Sequence, residues 1–525
     1  MRAVINDALR RLIARATVLA GAFLDAHQRL RIRRFSRTQQ KLKRKYRIAA
    51  GTPVVSYGPR VVESIRHAFV HAGRDARFAM TSGSTAEPKK ILYTERRLRA
   101  LKFTFSDMFA RTCRAYRFKR TSLYVFTSFQ QDASLTSMLL NENRLPAYLS
   151  TLQAPYRVQQ HPSIRALVAR YGPNAVRLWI LTISNPGVLY ATNPSTISTF
   201  LDEVERNWVT SSSLVREWHE HEHGFDRTVR KIARRIESRG SARRLQLIAN
   251  SKTPLSMAQF APAVRAYICW TGGYLKPFLD RLAKHLPPSR YQLAPMYSMS
   301  TETVETETVF RNSEAHFLPL ARGVVYEFIK HGDDDRAENV LTPDQLELGE
   351  TYAMVVSDPY GLHRYQTGDL FSCRRRLDGL PDLIFLRRRA LEYSFIGEKV
   401  TAEQLTSVFD RLRAQFPETL RDSFLACVPS LPAHENPHYK VILISDQTIV
   451  PGTVIATRCD ELLGSLNCEY RNKRANGTLA PMRFTYARPA EFAERFAVSW
   501  ETQFKFLPLY QRTWESERSD HSRVS

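Results

Sequence analysis

No two cysteines of this chain stand close enough in sequence to form a metal knuckle or a local disulfide framework. The six, at positions 113, 269, 373, 427, 459 and 468, are spread out, with no CxxC pair. That excludes a zinc ribbon and a disulfide-stapled secreted domain, and it leads us to expect reduced thiols in a cytoplasmic protein. Long apolar runs are also missing. The longest uncharged run near the N-terminus, Ala16 to Leu24, falls far short of the ~20 residues that a membrane-spanning helix needs. Arginines interrupt that stretch and no cleavage signal follows it, against a secretory leader. Asp7 and Asp25 argue against a mitochondrial presequence. There is no internal repeat, and the only low-complexity tract is the polar tail after Trp514. No aromatic-interleaved RNA motif occurs either, so no specific nucleic-acid partner is expected.

Acidic residues are short relative to basic ones: 51 Asp and Glu face 77 Lys and Arg, a net charge of +26. Residues 1–47 hold 14 of the basic residues against only Asp7 and Asp25. Such a segment is attracted to polyanions, whether phospholipid, nucleic acid or nucleotide, or else forms a solvated basic face. The composition is otherwise that of a globular protein, 43% hydrophobic and 11% aromatic. A chain of 525 residues exceeds what one hydrophobic core can organise, so several domains are expected.

Ile5, Leu9, Leu12, Ile13, Ala16, Leu19 and Phe23 recur near helical spacing with arginines between them, which predicts a basic amphipathic helix over residues 1–35. Its apolar stripe has two readings, packing on the body of the protein or weak contact with an anionic membrane. Packing is the commoner fate and is the expectation here. Beyond it, β-like runs at Ser122–Phe129, Val176–Ile183 and Ala266–Trp270 alternate with helical patterns around Pro194–Trp208 and Arg227–Leu247, an α/β architecture. From about residue 295 the strands come closer together. A basic knot spans Asp382 to Arg389, and a new α/β pattern starts at Ser394 with a buried strand at His438–Ser445. These shifts divide the chain into a large domain over 36–387, a small one over 388–514 and a tail over 515–525. His219, His221 and His223 alternate, point in different directions on a helix and have no cysteine beside them, so a solvated helix end is expected rather than a metal site.

The most informative stretch is MTSGSTAEPKKILY, Met80 to Tyr93. Thr81, Ser82, Ser84 and Thr85 offer hydroxyl donors, Gly83 a permissive backbone, and Lys89 and Lys90 positive charge, all suited to polyphosphate. It is not a GxxxxGK[ST] loop. TSGSTAEPK resembles the TSGTTGxPK phosphate loop of the adenylate-forming superfamily of acyl-CoA synthetases, luciferases and peptide-synthetase adenylation domains. Ala86 stands where that loop usually has glycine.

Further motifs follow in the superfamily's order. ICWTGGYLKPFLDRL (Ile268 to Leu282) resembles the strand-to-helix turn beside the adenine, marking Gly272. YSMSTETVETE (Tyr297 to Glu307) resembles the segment whose Thr-Glu pair falls on Thr301 and Glu302, the glutamate helping to hold Mg²⁺. RYQTGDLF (Arg364 to Phe371) resembles the Y-x-TGD motif, whose aspartate, here Asp369, accepts hydrogen bonds from the ribose hydroxyls. IFLRRRALEYSFIGEKVTAEQL (Ile384 to Leu405) is similar to the hinge and GEK segment. There Arg388 takes the arginine position, Arg387 replaces a glycine, and Gly397, Glu398 and Lys399 match. QFKFLPL (Gln503 to Leu509) resembles the C-terminal catalytic-lysine motif, placing Lys505 on the lysine, with Leu509 where arginine is usual.

GEK, a C-terminal domain of about 130 residues, and NPSTISTFLDEV (Asn193 to Val204) together resemble the acyl-acid amido synthetases of the Gretchen Hagen family, in their bacterial form, over residues 30–510. The resemblance implies the adenylate-forming fold, a large N-terminal α/β domain plus a small α/β lid. It also implies ATP and Mg²⁺ as cofactors and two half-reactions, acyl-AMP formation and transfer to an amine, usually that of an amino acid. Thr81 to Thr85, Lys89, Gly272, Thr301, Asp369 and Lys399 would then bind nucleotide, Glu302 the metal, and Lys505 and Arg388 would serve catalysis. Two alternatives stand beside this reading: transfer to coenzyme A or a carrier protein, and a non-catalytic nucleotide- or surface-binding protein, which the departures at Ala86, Arg387 and Leu509 keep open.

Overall fold

The computed structural model describes residues 2–70, 77–80, 90–127, 129, 135, 139, 145–272, 275–295, 299–389, 391–396, 398–420, 423–432, 435–445, 452–496 and 507–511. Buried apolar side chains collect in two clusters. The larger runs from Ile32 to Leu383; the smaller holds residues between Leu391 and Tyr510 together with Leu275 and Phe278.

In the larger cluster, β3 (Leu123–Val125), β4 (Val188–Tyr190), β5 (Ala266–Cys269) and β6 (Gln292–Pro295) form a parallel sheet in chain order. Every residue of β3, β4 and β5 is buried, the mark of parallel strands covered on both faces. Before them, β1 (Arg77–Met80) pairs antiparallel with β2 (Lys90–Tyr93); after them, β7 (Glu307–Arg311) pairs antiparallel with β8 (Glu314–Leu318). An antiparallel sheet follows, ordered β10-β9-β11-β12-β13, from β9 (Val325–Lys330), β10 (Val340–Leu341), β11 (Thr351–Ser357), β12 (Tyr365–Leu377) and β13 (Leu380–Arg388). The smaller cluster is built on β16 (Phe424–Ser430), β17 (His438–Ile444) and β18 (Arg483–Ala487), with helices Ala402–Gln415 and Gly452–Leu466. A short pair, β14 (Glu392–Tyr393) and β15 (Val400–Thr401), opens it. The architecture is mixed α/β, as expected.

Local assignments differ in places. Val176–Ile183, expected as a strand, lies in helix Pro173–Ser184. Proline at its first turn and Asn185 in the left-handed region set its ends. Every residue from Ala175 to Ser184 is buried, so no polar face reveals the 3.6-residue period. The basic pattern Arg227–Leu247 is two helices, Arg227–Ile236 and Ser241–Asn250, separated at Gly240 with φ +77°. His219, His221 and His223 are exposed where helix Ser213–His221 runs into the turn Glu222–Gly224.

The N-terminal helix brings the largest correction. α1 (Arg2–Arg33) does pack on the body; α2 (Phe35–Lys45) and α3 (Pro59–Val70) follow it, and α1 runs along α4 (Glu95–Ala115). Its buried side, however, is Asn6, Asp7, Arg10, Ala14, Gly21, Gln28 and Ile32, while Ile5, Leu12, Leu19 and Phe23 of the expected stripe face outward. Polar residues turn inward because acceptors await them. Asn6 donates to the Glu237 carbonyl at 2.8 Å and Arg10 to the Ile236 carbonyl, satisfying C-terminal carbonyls of helix Arg227–Ile236 that have no intrahelical partner. Gln28 donates to the Thr308 carbonyl at 3.2 Å, and Arg31 grips Glu307 with both terminal nitrogens at 3.0 and 2.9 Å. Among the described residues no helix is long and apolar enough to cross a membrane.

Gly21 permits the close approach of α1 to α4. A Cβ there would lie 2.5 Å from the Ala110 carbonyl oxygen. Alanine in an exposed helix is about 1 kcal/mol better than glycine, so the direction of the effect is diagnostic. Gly21→Ala is expected to lower the melting temperature, by overlap worth roughly 1–3 kcal/mol. A raised melting temperature would show that the two helices are not in contact at this point.

Candidate active site

The antiparallel register sets Asp369 of β12 opposite Arg388, the last residue of β13. Arg388 Nε lies 3.4 Å from Asp369 Oδ1, with the carboxylate nearly fully buried. Just beside this pair the ladder skips a residue, Leu370 facing Arg387 and Phe371 facing Phe385, a bulge of the kind that re-aims side chains near functional sites. Thr367 and Gly368 hold the aspartate in place. The Thr367 hydroxyl donates to the Met354 carbonyl at 3.2 Å and accepts from the Asp369 amide at 3.2 Å. Gly368 has φ +81°, a conformation that side chains resist.

Tyr365, where β12 begins, is fully buried and its hydroxyl lies 3.4 Å from Glu302 Oε1. Burial, Glu302 and Asp369 together push its ionisation far up, against the pull of Arg388. The tyrosine therefore joins Glu302 to the Asp369–Arg388 pair. Sequence reasoning left it out of the site, although it is the first residue of the Y-x-TGD pattern. Glu302 is itself buried. Among the described residues no group of three or more metal-ligating side chains occurs. One buried carboxylate fits Mg²⁺, which takes most of its ligands from phosphate and water.

Thr301 and Glu302 are anchored through their backbones. Tyr93 at the end of β2 donates to the Thr301 carbonyl at 2.7 Å; its burial pushes the phenol up to about 12. Arg97, in the first turn of α4, donates to the Glu302 carbonyl and to Leu92 O, the latter at 2.8 Å, and pairs with Asp358 at 3.0 Å. Its guanidinium also sits 4.6 Å from the centre of the Tyr93 ring, within cation–π range. This arginine was invisible in the sequence, since each of its partners except Leu92 and Tyr93 is more than two hundred residues away.

Thr81, Ser82, Gly83, Ser84, Thr85 and Lys89 lie outside the described residues, as do Gly397 and Lys505. Their described flanks are informative: Met80 pairs with Lys90 across β1 and β2, so residues 81–89 connect the two strands of a hairpin. Gly272, after β5, presses on β13. A Cβ there would come within 3.0 Å of the Phe385 carbonyl oxygen. Lys399 is exposed, with φ +43°, and its carbonyl accepts from Asn467 at 3.3 Å.

Arg387 and Glu398 connect these segments to the smaller cluster. Arg387, buried, reaches Glu403 at 3.2 Å, Glu392 at 3.3 Å and the His331 ring at 3.3 Å. Burial, then Arg387, holds His331 below its ordinary value. Glu398 accepts from the amides of Phe395 at 2.7 Å and Ile396 at 2.9 Å and from the Tyr439 hydroxyl at 2.6 Å. Its role in the GEK segment is thus to fold the loop.

An apolar cavity of about 520 Å³ lies between α1 and α4, lined among others by Ile13, Ala20, Phe105, Phe109, Tyr190 and Met299. Met299 bridges to Val304, and these two residues bracket Thr301 and Glu302. The cavity therefore borders the same loop as the buried carboxylate.

Burial raises the Glu398 carboxyl, but the hydrogen bonds to its ionised form outweigh that and leave it below its usual value. A lowered carboxylate stabilises the fold above the unfolded value, near 4.3, and the contribution is lost as pH falls through the folded one. Glu398→Gln should therefore lose about 1–3 kcal/mol near neutral pH. In unfolding titrations the gap to the parent should narrow as pH drops below about 4. A gap constant with pH would remove Glu398 from the acid response.

Residues 317–388, from β8 to Arg388, match the model of the GH3 family central domain. Two curated relatives are similar over a shorter span than their own length. The Probable indole-3-acetic acid-amido synthetase GH3.9 of Oryza sativa subsp. japonica is 23% identical over 232 residues, 41% of this chain and 53% of that protein. The Indole-3-acetic acid-amido synthetase GH3.3 of Arabidopsis thaliana is 24% identical over 229 residues, 41% and 38%. The chain thus spans about half or less of these relatives. Among solved structures, the AtGH3.15 acyl acid amido synthetase in complex with 2,4-DB superimposes with a TM-score of 0.63 at 14% identity, covering 88% of this chain and 85% of that one. The 2-Hydroxyisobutyryl-CoA Ligase in its postadenylation state gives 0.50 at 10% identity, with 97% and 91% covered. Residues 317–388 are therefore similar to the GH3 family central domain, and the chain as a whole shares its fold with that acyl acid amido synthetase structure and with that acyl-CoA ligase.

Proposed function

We propose that this protein joins a carboxylic acid to AMP at the expense of ATP and then transfers the acyl group to an amine, most simply that of an amino acid. The observation that carries the reading is the grouping of Glu302, Asp369 and Arg388 around Tyr365. In the first half-reaction a carboxylate oxygen bonds to the α-phosphorus as the bond to pyrophosphate breaks. In the second the amine nitrogen bonds to the acyl carbon, AMP departs with the electron pair of the broken C–O bond, and the nitrogen gives up a proton.

Asp369 would accept from the ribose hydroxyls; a carboxylate has about four lone-pair sites, so its contact with Arg388 leaves capacity. Thr81, Ser82, Gly83, Ser84, Thr85 and Lys89 would hold the departing phosphates, and Gly272 would lie against the adenine, where a side chain would collide with β13. Glu302 would hold Mg²⁺, which supplies charge neutralisation to phosphate oxygens when bound. Lys505 would donate to the oxygens on which charge gathers, Arg388 would orient nucleotide and hinge, and Lys399 would approach the nucleotide when the smaller cluster turns. The apolar cavity beside Met299 would take the organic part of the acid. The names of the relatives, amido synthetases of indole-3-acetic acid, support an amine over a thiol acceptor.

ATP–pyrophosphate exchange across a broad panel of carboxylic acids tests the reading. Exchange is expected to depend on one class of acid and to fall on the order of a hundredfold in Lys505→Ala, the scale of losing one preorganised donor. Lys89→Ala and Asp369→Asn should weaken it through ATP. Exchange with no acid of the panel, despite ATP binding, would favour a binding protein; an acyl-thioester product in place of an amide would assign coenzyme A or a carrier protein as acceptor. Ala20→Phe, which fills the cavity, should raise KM for the acid about tenfold while leaving KM for ATP unchanged.

A further inference from the structure

Ile5, Leu12, Leu19, Phe23 and Leu30 follow one another at steps of seven, seven, four and seven residues, so they line one side of α1. That side lies opposite the packed face of Asn6, Arg10, Gly21 and Gln28. Leu12, Leu19 and Phe23 are 63%, 72% and 76% exposed. Single apolar side chains on a surface need no explanation, but a continuous row along one helix marks an interaction site. At 100° per residue, Arg11, Arg15, Arg29 and Arg33, all exposed, fall along one flank of the row. The only acids of α1 are turned to the body. Asp7 is buried against Arg10 and Arg120, and Asp25 is paired with Arg114 of α4. The outward surface of the helix thus combines an apolar row with positive charge and carries none of the helix's own carboxylates.

We propose that α1 docks this protein on an anionic lipid bilayer. The helix would lie in the plane of the surface, with Leu12, Leu19 and Phe23 among the acyl chains and the arginines at headgroup phosphates. Charge selects this occupant. A second copy of the chain would bring the same arginines and no opposing charge. A nucleic acid would meet the arginines but leave the apolar row in water, because its affinity comes from phosphate contacts. Ile13, Ala16 and Ala20, on the flank of the row away from the arginines, line the apolar cavity, so docking would bring that cavity beneath the lipid surface.

The test is flotation of the full-length protein with vesicles of phosphatidylcholine and phosphatidylglycerol, beside vesicles of phosphatidylcholine alone. It needs neither ATP nor acid, and so stands apart from any assay of activity. The protein should float with the anionic vesicles, less so as salt rises, and much less with the neutral ones. Leu19→Glu with Phe23→Glu should weaken flotation on the order of tenfold or more. Arg11→Glu with Arg15→Glu should weaken it comparably at low salt. These positions are exposed, and unchanged melting curves would establish that the variants fold. Three outcomes would overturn the proposal: flotation that survives the paired glutamates, wild type that does not float, or a wild-type dimer that the paired glutamates dissociate without any vesicle binding. Equal affinity for an RNA oligonucleotide, insensitive to the Leu19 and Phe23 changes, would assign the surface to nucleic acid and overturn it as well.

Discussion

Two consecutive arginines at the end of one strand organise the junction on which the candidate site depends. Side chains of a β-strand alternate between its faces. Arg388 turns to Asp369 and Arg387 turns the other way, into Glu392, Glu403 and His331. The same two residues therefore hold Asp369 and the first elements of the smaller cluster. A one-residue slip of β13 would exchange the two roles and lose both. Because Arg387 is buried, its partners are not optional: a buried guanidinium stripped of its carboxylates leaves an uncompensated charge, which costs about 3–5 kcal/mol. The glycine that the resemblance expects there could make no such clasp. Any displacement of Glu392 and Glu403 from β13 would have to break these pairs.

The same device recurs wherever irregular backbone must be fixed. Arg97 binds the carbonyls of Leu92 and Glu302 and the carboxylate of Asp358. Arg364 clasps Glu327 at 2.9 and 3.0 Å and reaches the carbonyls of Ala50 and Thr52, beside the start of β12 at Tyr365. Arg111 pairs with Asp107 and approaches Glu307, which Arg31 also grips. A planar guanidinium has five donors in a fixed fork, so one side chain can satisfy two or three loop carbonyls and a carboxylate at once. Part of the chain's positive charge is therefore spent inside, holding irregular segments such as those around Thr301 and Tyr365 in place.

What was legible in the sequence follows from how local each signal is. TGD could be read because its three residues act on one another: Thr367 bonds the Asp369 amide, Gly368 supplies the turn, and Asp369 is presented. The strand at His438 to Ser445 and the α/β class were likewise visible as local patterns. Helix Pro173–Ser184 was not, since burial on all sides erases the difference between a helix and a buried strand. Arg97 and Arg387 were not, because their partners arrive through folding. Gly272 could be marked by its pattern, but the reason a glycine is needed there, the carbonyl of Phe385, lies more than a hundred residues away.

The inversion of α1 has the same origin and a wider lesson. An apolar stripe is assigned to the core because burial removes it from water, about 25 cal/mol for each Å² of apolar surface. That rule ranks residues only when the alternative face has nothing to gain by burial. Here the opposite face offers Asn6, Arg10, Gln28 and Arg31, each matched to a carbonyl or carboxylate of another element, and turning such a donor away from a buried acceptor costs about 1–3 kcal/mol. It also offers Ala14 and Gly21, which let the helix axes approach. The polar face thus goes inward to complete other elements' hydrogen bonds, and the leucines and Phe23 are left outside by competition rather than by preference for water. An exposed row produced this way retains its whole hydrophobic driving force, and with arginines beside it the surface that can satisfy both is apolar beneath and negatively charged above.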